Sequence, residues 1–349
     1  MNTKVLWGVI GSGGIAFRRT IPEGILPADN ARLVSVYDLD PDRTRAAAER
    51  FGARGAASIE DLLASEIDCV YIATPTHLHC KLALASAAAG KNVLCEKPLG
   101  LTVSEAKEMV ATFQRAGLKL GTGFMMRFQA QHKEALRLIE SGQLGRPVYA
   151  RAQLSCWYPE IDGAWRQDLS LSGGGALMDM GGHCLDLLEM FFGPVVAVTA
   201  KTRRLVHGYE PEDGAVVVLE FQNGALGSVD TFFSIPDAAS ENALELYGSK
   251  GSIIARGTIG QGSIGTMNAL LTSTKSAYDP RQERSVGAQP VSPIPVNTYR
   301  REIEEFGCAV LEHREPENSG DVGLRNQRLL SACYLSACSG ETVRVDQSA

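Results

Sequence analysis

Three residues in two stretches of the chain have the types needed to move a proton and stabilise a negative charge. Lys97 lies in Cys95-Glu96-Lys97-Pro98-Leu99, at the end of a predicted strand, and its ammonium group can stabilise a developing alkoxide. Asp179 and His183 follow Gly173-Gly174-Gly175 in a predicted helix, and a histidine exchanges protons near neutral pH. A spacing of four residues places both side chains on one face of a helix, as a shared site requires.

Each of these residues also has a structural interpretation. Lys97 can be a surface lysine before a turn that Pro98 fixes, His183 a satisfied helix histidine, and Asp179 a capping carboxylate. The three consecutive glycines can be a plain loop. Because such a run is costly to order, we favour a close approach to a cofactor or substrate.

A glycine-rich turn directly after the first predicted strand indicates a dinucleotide site. It reads Gly11-Ser12-Gly13-Gly14-Ile15-Ala16 and leads into a helix. Gly11 permits the tight turn, Gly13 lets the backbone approach the pyrophosphate, and Ala16 allows close helix packing. Amides at the start of the helix face the anion. A turn that binds no phosphate is the alternative.

Asp38, at the end of the second predicted strand, bears on the choice of cofactor. A carboxylate there can accept both hydroxyls of the adenine ribose and would repel a 2′-phosphate. We therefore expect NAD to be preferred. NADP remains the second expectation because Arg43 is near enough to pair with a phosphate, and Asp38 can also belong to a solvated turn.

The elements that must position these residues differ between the two halves of the chain. Up to about Leu120, apolar runs of strand length alternate with helical patterns, which is typical of βαβ units and a parallel sheet. The predicted strands are residues 5–10, 32–37, 69–73, 92–95 and 118–122. The predicted helices are residues 44–51, 58–64, 79–89 and 104–115. We predict an α/β chain whose residues 1–123 form a Rossmann-type, doubly wound parallel sheet.

After Gly123 the pattern changes to long alternating runs, which indicate strands. The predicted elements are a helix at 130–141, strands at 148–156, 195–204, 215–221, 226–233, 243–254 and 267–272, and helices at 298–312 and 322–339. Asn223-Gly224 favours a tight hairpin, and residues 261–295 are otherwise predicted to be loop. Residues 124–349 are therefore predicted to form an α+β domain with a large open, mainly antiparallel sheet that helices cover on one face.

Composition excludes several classes of protein. The chain has 349 residues, enough for two domains, with ordinary hydrophobic (44%) and charged (21%) fractions. A formal charge of −6 without a basic face argues against nucleic acid as a partner. The chain starts without a signal-peptide pattern, its apolar runs are too short to span a membrane, and its eight cysteines form no CxxC pair. We expect a cytoplasmic protein with reduced thiols and no membrane partner.

With Ala73-Thr74-Pro75-Thr76-His77-Leu78-His79, these motifs resemble the glucose-fructose oxidoreductase, inositol dehydrogenase and MocA family over nearly the whole chain. The resemblance implies that Lys97 binds the reacting hydroxyl and the developing oxyanion, and that His183 exchanges the proton. Asp179 then contacts the substrate and orients the site. The resemblance also implies hydride transfer to a nicotinamide.

Further cofactor contacts are implied by the same resemblance. Glu96 matches the position near the nicotinamide ribose, and the segment from Thr74 and Pro75 to His79 matches the one along the cofactor, although Thr76 stands where the family often has asparagine. Arg127 lies in the family's linker between domains, and the pair Trp165-Arg166 matches one beside the cofactor. Arg127 can instead pair with a structural carboxylate. We expect no metal, because His79, Asp179 and His183 form no local ligand cluster and Lys97 already supplies the charge.

The sequence thus predicts an NAD(P)-dependent oxidoreductase acting on a hydroxyl or keto group of a sugar, polyol or sugar derivative. An NAD-dependent glycoside hydrolase that oxidises its sugar transiently is the alternative. A non-catalytic NAD sensor is disfavoured because the three catalytic types are all present. Val216, Val218 and Phe221 do not all occupy alternate positions, so apolar side chains are expected on both faces of the sheet. Because an exposed apolar face usually meets a partner, we predict a homodimer or homotetramer.

Overall fold

The computed structural model describes residues 4–262, 265–272, 278, 280 and 287–345. The chain divides into two units of three segments each. The first unit contains Met1–Met125, Gly163–Gly173 and Asn297–Arg328, and the second contains Met126–Asp162, Gly174–Val296 and Leu329–Ala349. The predicted division after residue 123 lies near the end of the first segment, but two later segments also join the first unit.

Parallel strands form the sheet of the first unit, in the order β3-β2-β1-β4-β5-β6. Their bounds are Val5–Ile10 (β1), Ala31–Tyr37 (β2), Arg54–Gly55 (β3), Cys69–Ile72 (β4), Asn92–Cys95 (β5) and Leu120–Thr122 (β6). This is the strand order of a doubly wound sheet, whose ligands bind at the carboxyl ends where the order reverses, here beside β1 and β4. The predicted Rossmann fold is confirmed.

Two apolar cores lie against this sheet. One contains Leu62, Val70 and Phe113, and the other contains Trp7 and Phe306, whose ring centroids are 5.7 Å apart. The α-helices described in this unit are Pro41–Phe51, Ile59–Leu63, His79–Ala88, Val103–Ala116, Leu169–Ser172, Thr298–Leu311 and the first part of Gly320–Ser339. Because Phe306 completes the core around Trp7, the segment Asn297–Arg328 belongs to this unit rather than to the second.

The second unit contains a mixed, mostly antiparallel sheet in the order β14-β13-β12-β11-β7-β10-β9-β8-β15 among the described residues. The strands are Pro147–Ser155 (β7), Val195–Arg203 (β8), Gly214–Phe221 (β9), Leu226–Phe232 (β10), Ala243–Gly248 (β11), Gly251–Arg256 (β12), Thr266–Leu271 (β13), Gln289–Pro290 (β14) and Val343–Arg344 (β15). Only β7 and β10 pair in parallel among these strands. The predicted hairpin at Asn223-Gly224 joins β9 to β10.

One predicted strand is wrong in the second unit. Residues 243–254 form two antiparallel strands, β11 and β12, joined by a tight turn. Gly251, which follows the turn, has a φ of 151° that favours glycine. Gly248 packs against a different segment, since a Cβ there would lie 2.2 Å from the Leu144 carbonyl oxygen. Parts of the predicted loop 261–295 lie outside the described residues.

Helices of the second unit include Ala130–Glu140, Gly182–Phe192 and the last part of Gly320–Ser339. The helix Gly182–Phe192 packs on β7, and the Phe192 and Phe221 rings meet with centroids 5.6 Å apart. Alternate residues of β9 are buried on the helix-covered face. In the part of the chain that the structure describes, no helix is both long and apolar enough to cross a membrane.

Candidate active site

The glycine turn after β1 lies against the end of β4. Gly11 has a φ of 88°, and a Cβ there would lie 2.7 Å from the Ala73 carbonyl carbon, so only glycine fits this position. The backbone N–H groups of Gly11 and Ser12 donate to the Tyr37 carbonyl, at 2.8 and 3.2 Å. The turn then enters the predicted helix, which is π-helical over Ala16–Ile25. Its sequence therefore folds as the dinucleotide motif requires.

Asp38 and Arg43 both lie beside Gly13. The Gly13 N–H donates to Asp38 Oδ2 at 3.1 Å, and the Asp40 N–H donates to Asp38 Oδ1 at 3.1 Å. A Cβ at Gly13 would be 3.2 Å from Arg43 Cδ, and the Arg43 guanidinium makes a loose ion pair with Asp40 at 3.4 Å. A carboxylate and an exposed guanidinium therefore flank the same glycine.

Lys97 follows β5 in a turn held by several hydrogen bonds. The Lys97 N–H donates to Glu96 Oε2 at 3.2 Å, and the Tyr71 hydroxyl donates to Glu96 Oε1. Removal from water raises the pKa of Glu96, while the Tyr71 hydrogen bond and the Lys97 charge lower it. Thus the residue before the predicted catalytic lysine is a constrained carboxylate.

His79 connects the Lys97 turn with the Thr74-Pro75 turn. Its Nδ1 lies 2.8 Å from the Pro98 carbonyl oxygen, and its Nε2 lies 2.9 Å from the Thr74 carbonyl oxygen. Burial lowers the pKa of His79 to about 4, so the ring is neutral at pH 7 and donates to one of the two carbonyls. The structure thus gives His79 a role in holding two turns together.

The segment Gly163–Gly173 brings Trp165 and Arg166 into the first unit. The Arg166 guanidinium lies over the Trp165 ring, 4.3 Å from its centroid, and its charge lowers the pKa of Glu96. The short helix Leu169–Ser172 packs against the turn Thr76–Leu78. The predicted cofactor residues of both segments therefore lie in one unit.

Two buried hydroxyl groups fit a bound dinucleotide in this unit. Ser12 Oγ and Thr76 Oγ1 are shielded from water and have no hydrogen-bond partner among the described residues. Buried hydroxyl groups are usually paired, and a bound dinucleotide could supply a partner for each of these two. A Cβ at Gly14 would meet nothing within 4 Å, which leaves open space beside the turn. These residues could hold the phosphate and nicotinamide portions of NAD.

Asp179 and His183 lie in the second unit, as does Arg127. The turn Leu177–Gly181 is π-helical and runs into the helix Gly182–Phe192, so the two side chains stay close to one face. Asp179 is half-buried and His183 is buried. The structure thus places Lys97 in one unit and these two residues in the other.

Sequence reasoning missed Glu212, which holds the start of this helical segment. Its carboxylate accepts hydrogen bonds from the N–H groups of Gly175 (2.9 Å) and Leu177 (3.0 Å) and from the Tyr334 hydroxyl (2.8 Å). A Cβ at Gly174 would lie 2.0 Å from the Tyr334 hydroxyl oxygen, and one at Gly175 would lie 1.8 Å from the Glu212 carbonyl oxygen. Internal packing therefore accounts for two of the three glycines whose sequence favours a close approach to a ligand.

Arg127 forms a buried ion pair with Asp186, one turn after His183. Its Nε donates to both carboxylate oxygens, at 2.9 and 2.8 Å, and its Nη2 donates to Oδ1 at 2.7 Å. The side chains are 10% and 3% exposed. This geometry corresponds to the alternative in which Arg127 pairs with a structural carboxylate. The sequence did not identify Asp186 as that partner.

Two buried histidines predict that the protein loses stability in acid. Burial lowers the pKa of both His79 and His132 to about 4, from an ordinary value of 6.5. A neutral histidine that resists protonation stabilises the fold above pH 6.5, and that contribution disappears as the pH falls through 4. We expect protonation of each histidine to reduce the free energy of unfolding by about 3 kcal/mol between pH 6.5 and pH 4, as measured by urea denaturation.

The matched control is the double variant His79→Gln/His132→Gln. Its absolute stability is expected to be lower, but its unfolding free energy should change less between the two ends of the window. A wild-type protein whose unfolding free energy is constant across the window would contradict the prediction.

Comparison with known proteins identifies the family. Residues 5–124 match the family model described as an oxidoreductase family with an NAD-binding Rossmann fold, and residues 132–254 match the GFO/IDH/MocA C-terminal domain. The 1,5-anhydro-D-fructose reductase of Ensifer adhaerens is 29% identical over 345 residues, which cover 97% of this chain and 98% of that protein. The myo-inositol 2-dehydrogenase of Thermotoga maritima is 31% identical over 258 residues, which cover 71% and 74%.

A solved structure is similar over the full chain. Levoglucosan dehydrogenase in complex with NADH and L-sorbose superposes with a TM-score of 0.87 and 25% identity, covering 99% of this chain and 100% of that one. The chain belongs to the glucose-fructose oxidoreductase, inositol dehydrogenase and MocA family, and the predicted resemblance is confirmed. It is an NAD(P)-dependent oxidoreductase of the sugar and polyol class.

Proposed function

We propose that this enzyme transfers a hydride between a secondary hydroxyl group of a sugar or polyol and NAD, with Lys97, Asp179 and His183 as catalytic residues. The observation that supports it best is the Glu96-Lys97-Pro98 turn at the carboxyl end of β5, in the same unit as the glycine turn. Carboxyl ends of parallel strands are where such sheets bind ligands. The names of the relatives point to polyols, anhydrosugars and their keto forms.

Each side chain then has a distinct task in the oxidation direction. The Lys97 ammonium binds the reacting oxygen and stabilises its negative charge, while His183 accepts the hydroxyl proton. Asp179 binds the substrate and orients it. When bound, the nicotinamide supplies the hydride acceptor. Glu96, Thr74, Pro75, Thr76, His79, Trp165 and Arg166 line or support the cofactor position.

The first experiment follows absorbance at the NADH band while the protein, with NAD or NADP, is offered inositols, aldoses, anhydrosugars and glycosides. A rise with a sugar or polyol supports the dehydrogenase. Cleavage of a glycoside without net NADH would replace it by the NAD-dependent hydrolase. Absence of any NADH binding by the protein would overturn both.

Asp38 and Arg43 predict how cofactor preference can be changed. Asp38→Ser removes the charge that repels a 2′-phosphate, keeps a hydroxyl acceptor for the Gly13 N–H, and leaves Arg43 in place. We expect the ratio of the NADPH to the NADH dissociation constant, measured by fluorescence titration, to fall about tenfold or more, which corresponds to roughly 1.4 kcal/mol. In the double variant Asp38→Ser/Arg43→Ala this gain should be lost, and an unchanged ratio in Asp38→Ser would refute the assignment.

The outer face of the second sheet supports a homo-oligomer, either a dimer or a tetramer. Val216, Val218 and Leu226 are 47%, 50% and 52% exposed on this face, whereas Phe221 is buried on the other. Exposed apolar side chains on a sheet face often meet a partner, and a second copy is the occupant we propose. Light scattering that returned the mass of one chain at micromolar concentration would refute it.

None of the eight cysteines, all of them within the described residues, forms a disulfide, which supports a cytoplasmic location, where thiols stay reduced.

A further inference from the structure

A chain of hydrogen bonds crosses the first unit behind the Lys97 turn. Tyr71 is completely buried in β4, and its hydroxyl contacts two groups. One is Glu96 Oε1, at the end of the neighbouring strand β5. The other is Thr20 Oγ1, 2.9 Å away, in the π-helical segment Ala16–Ile25 that follows the glycine turn. Tyr71 therefore links the helix after the glycine turn to the residue before Lys97.

The directions of these hydrogen bonds follow from the number of protons. Tyr71 has one hydroxyl proton and donates it to Glu96, so Thr20 must donate its own proton to the Tyr71 oxygen. The other oxygen of Glu96 accepts the Lys97 N–H. Both oxygens of Glu96 are thus acceptors, and each retains a lone pair for a further donor. This arrangement suits a carboxylate and not a carboxylic acid.

We propose that Tyr71, braced by Thr20, is a positioning residue that orients the Glu96 carboxylate to accept hydroxyl groups of the nicotinamide ribose. The inference rests on the proposed function, because it needs NAD in the first unit. Tyr71 itself touches neither cofactor nor substrate. Its effect passes through Glu96, a residue that the chain leaves only half-buried.

A Cβ at Gly123 would come within 3.1 Å of the Glu96 carboxyl group. Because residue 123 is glycine, the Glu96 side chain has room on this side as well. Glycine at this position is consistent with a carboxylate that must keep one orientation. The two hydrogen-bond donors to Glu96, a backbone N–H and the fully buried Tyr71, have little freedom to move.

The charged groups around Glu96 determine how its hydrogen bond with Tyr71 responds to pH. The charged and titratable groups that act on Glu96 or Tyr71 are Lys97, Arg166, Tyr299 and Glu302, and Arg19 lies over the Tyr299 ring. Burial raises the pKa of Glu96, and the Tyr71 hydrogen bond is the foremost influence that lowers it, ahead of Lys97 and Arg166. Without the Tyr71 hydroxyl, Glu96 therefore takes up a proton at a higher pH, and a protonated Glu96 is a poorer acceptor for ribose.

The test is NADH binding to the full chain, followed by nucleotide fluorescence over a range of pH, for wild type and Tyr71→Phe. Phenylalanine keeps the ring and removes only the hydroxyl. We expect the acidic pH at which NADH affinity is half lost to move upward by about one unit, which is a tenfold change in proton affinity. The control Tyr149→Phe removes a hydroxyl bonded to Ser228 in the second unit and should leave the profile unchanged.

A Tyr71→Phe protein with a lower melting temperature but the wild-type pH profile would overturn the inference, because a purely structural role affects stability alone. If Tyr71→Phe does not fold, Thr20 decides the question. Thr20→Val should move the profile in the same direction by a smaller amount and Thr20→Ser should restore it, whereas identical profiles would overturn the inference. Failure of the wild type to bind NADH would overturn the proposed function and this inference with it.

Discussion

Replacing Lys97 by methionine is expected to lower kcat by about a thousandfold while leaving NADH binding nearly unchanged. Methionine keeps much of the length of the side chain but removes the charge that stabilises the alkoxide, and loss of one preorganised donor costs about 100- to 1000-fold. The N–H group of residue 97 that donates to Glu96 is retained, so the turn itself should persist. The measurements are kcat with the most active sugar and NADH titration by fluorescence.

Lys107→Met is the matched control, because Lys107 is exposed on the helix Val103–Ala116. It should retain wild-type turnover and NADH affinity. Full activity of Lys97→Met would show that another group stabilises the oxyanion, and the catalytic assignment would be withdrawn. Loss of NADH affinity together with turnover would instead move Lys97 into a cofactor-binding role.

Replacing Arg127 by methionine is expected to reduce the free energy of unfolding by about 3–5 kcal/mol. The variant leaves the Asp186 carboxylate, whose side chain is 3% exposed, without the guanidinium that donates to both of its oxygens. The double variant Arg127→Met/Asp186→Leu removes both charges and should lose less stability than the single variant. Urea denaturation of all three proteins measures the difference.

Arg137→Met provides the control on an exposed ion pair. Arg137 and Glu134 also lie 2.6 Å apart, but their side chains are 58% and 33% exposed, so this substitution should cost at most about 1 kcal/mol. An Arg127→Met protein of wild-type stability that had lost turnover would favour the other interpretation, in which Arg127 contacts the substrate or cofactor.

The sequence allowed the first unit to be predicted in detail because its central strands are buried on both faces. Residues 5–10 and 92–95 read as short apolar runs and coincide with β1 and β5. The two later segments of the unit could not be assigned in this way. Helical periodicity in 298–312 shows which face is buried, but it does not show that Phe306 packs against Trp7.

The residues of the candidate site also differ in whether a local sequence pattern can identify them. Lys97 and the glycine turn lie in motifs whose residue types and spacing are sufficient to find them. Tyr71, Asp186 and Glu212 act through partners far away in the chain, and no local pattern specifies such pairs. One signal was present, since a tyrosine within an otherwise apolar buried strand needs a partner for its hydroxyl group.

The division of the first unit into three separate segments of the chain also affects how it folds during synthesis on the ribosome. Trp7 is synthesised early, but Phe306, which packs beside it, follows roughly 300 residues later, a delay of about 15 to 60 s at about 5–20 residues per second. During that interval the core around Trp7 is covered by the segments Ala16–Ile25 and Pro41–Phe51 but still lacks the apolar side chains of the helix Thr298–Leu311. A message interrupted before the codon for Phe306 should therefore yield an aggregation-prone fragment and not a smaller nucleotide-binding protein.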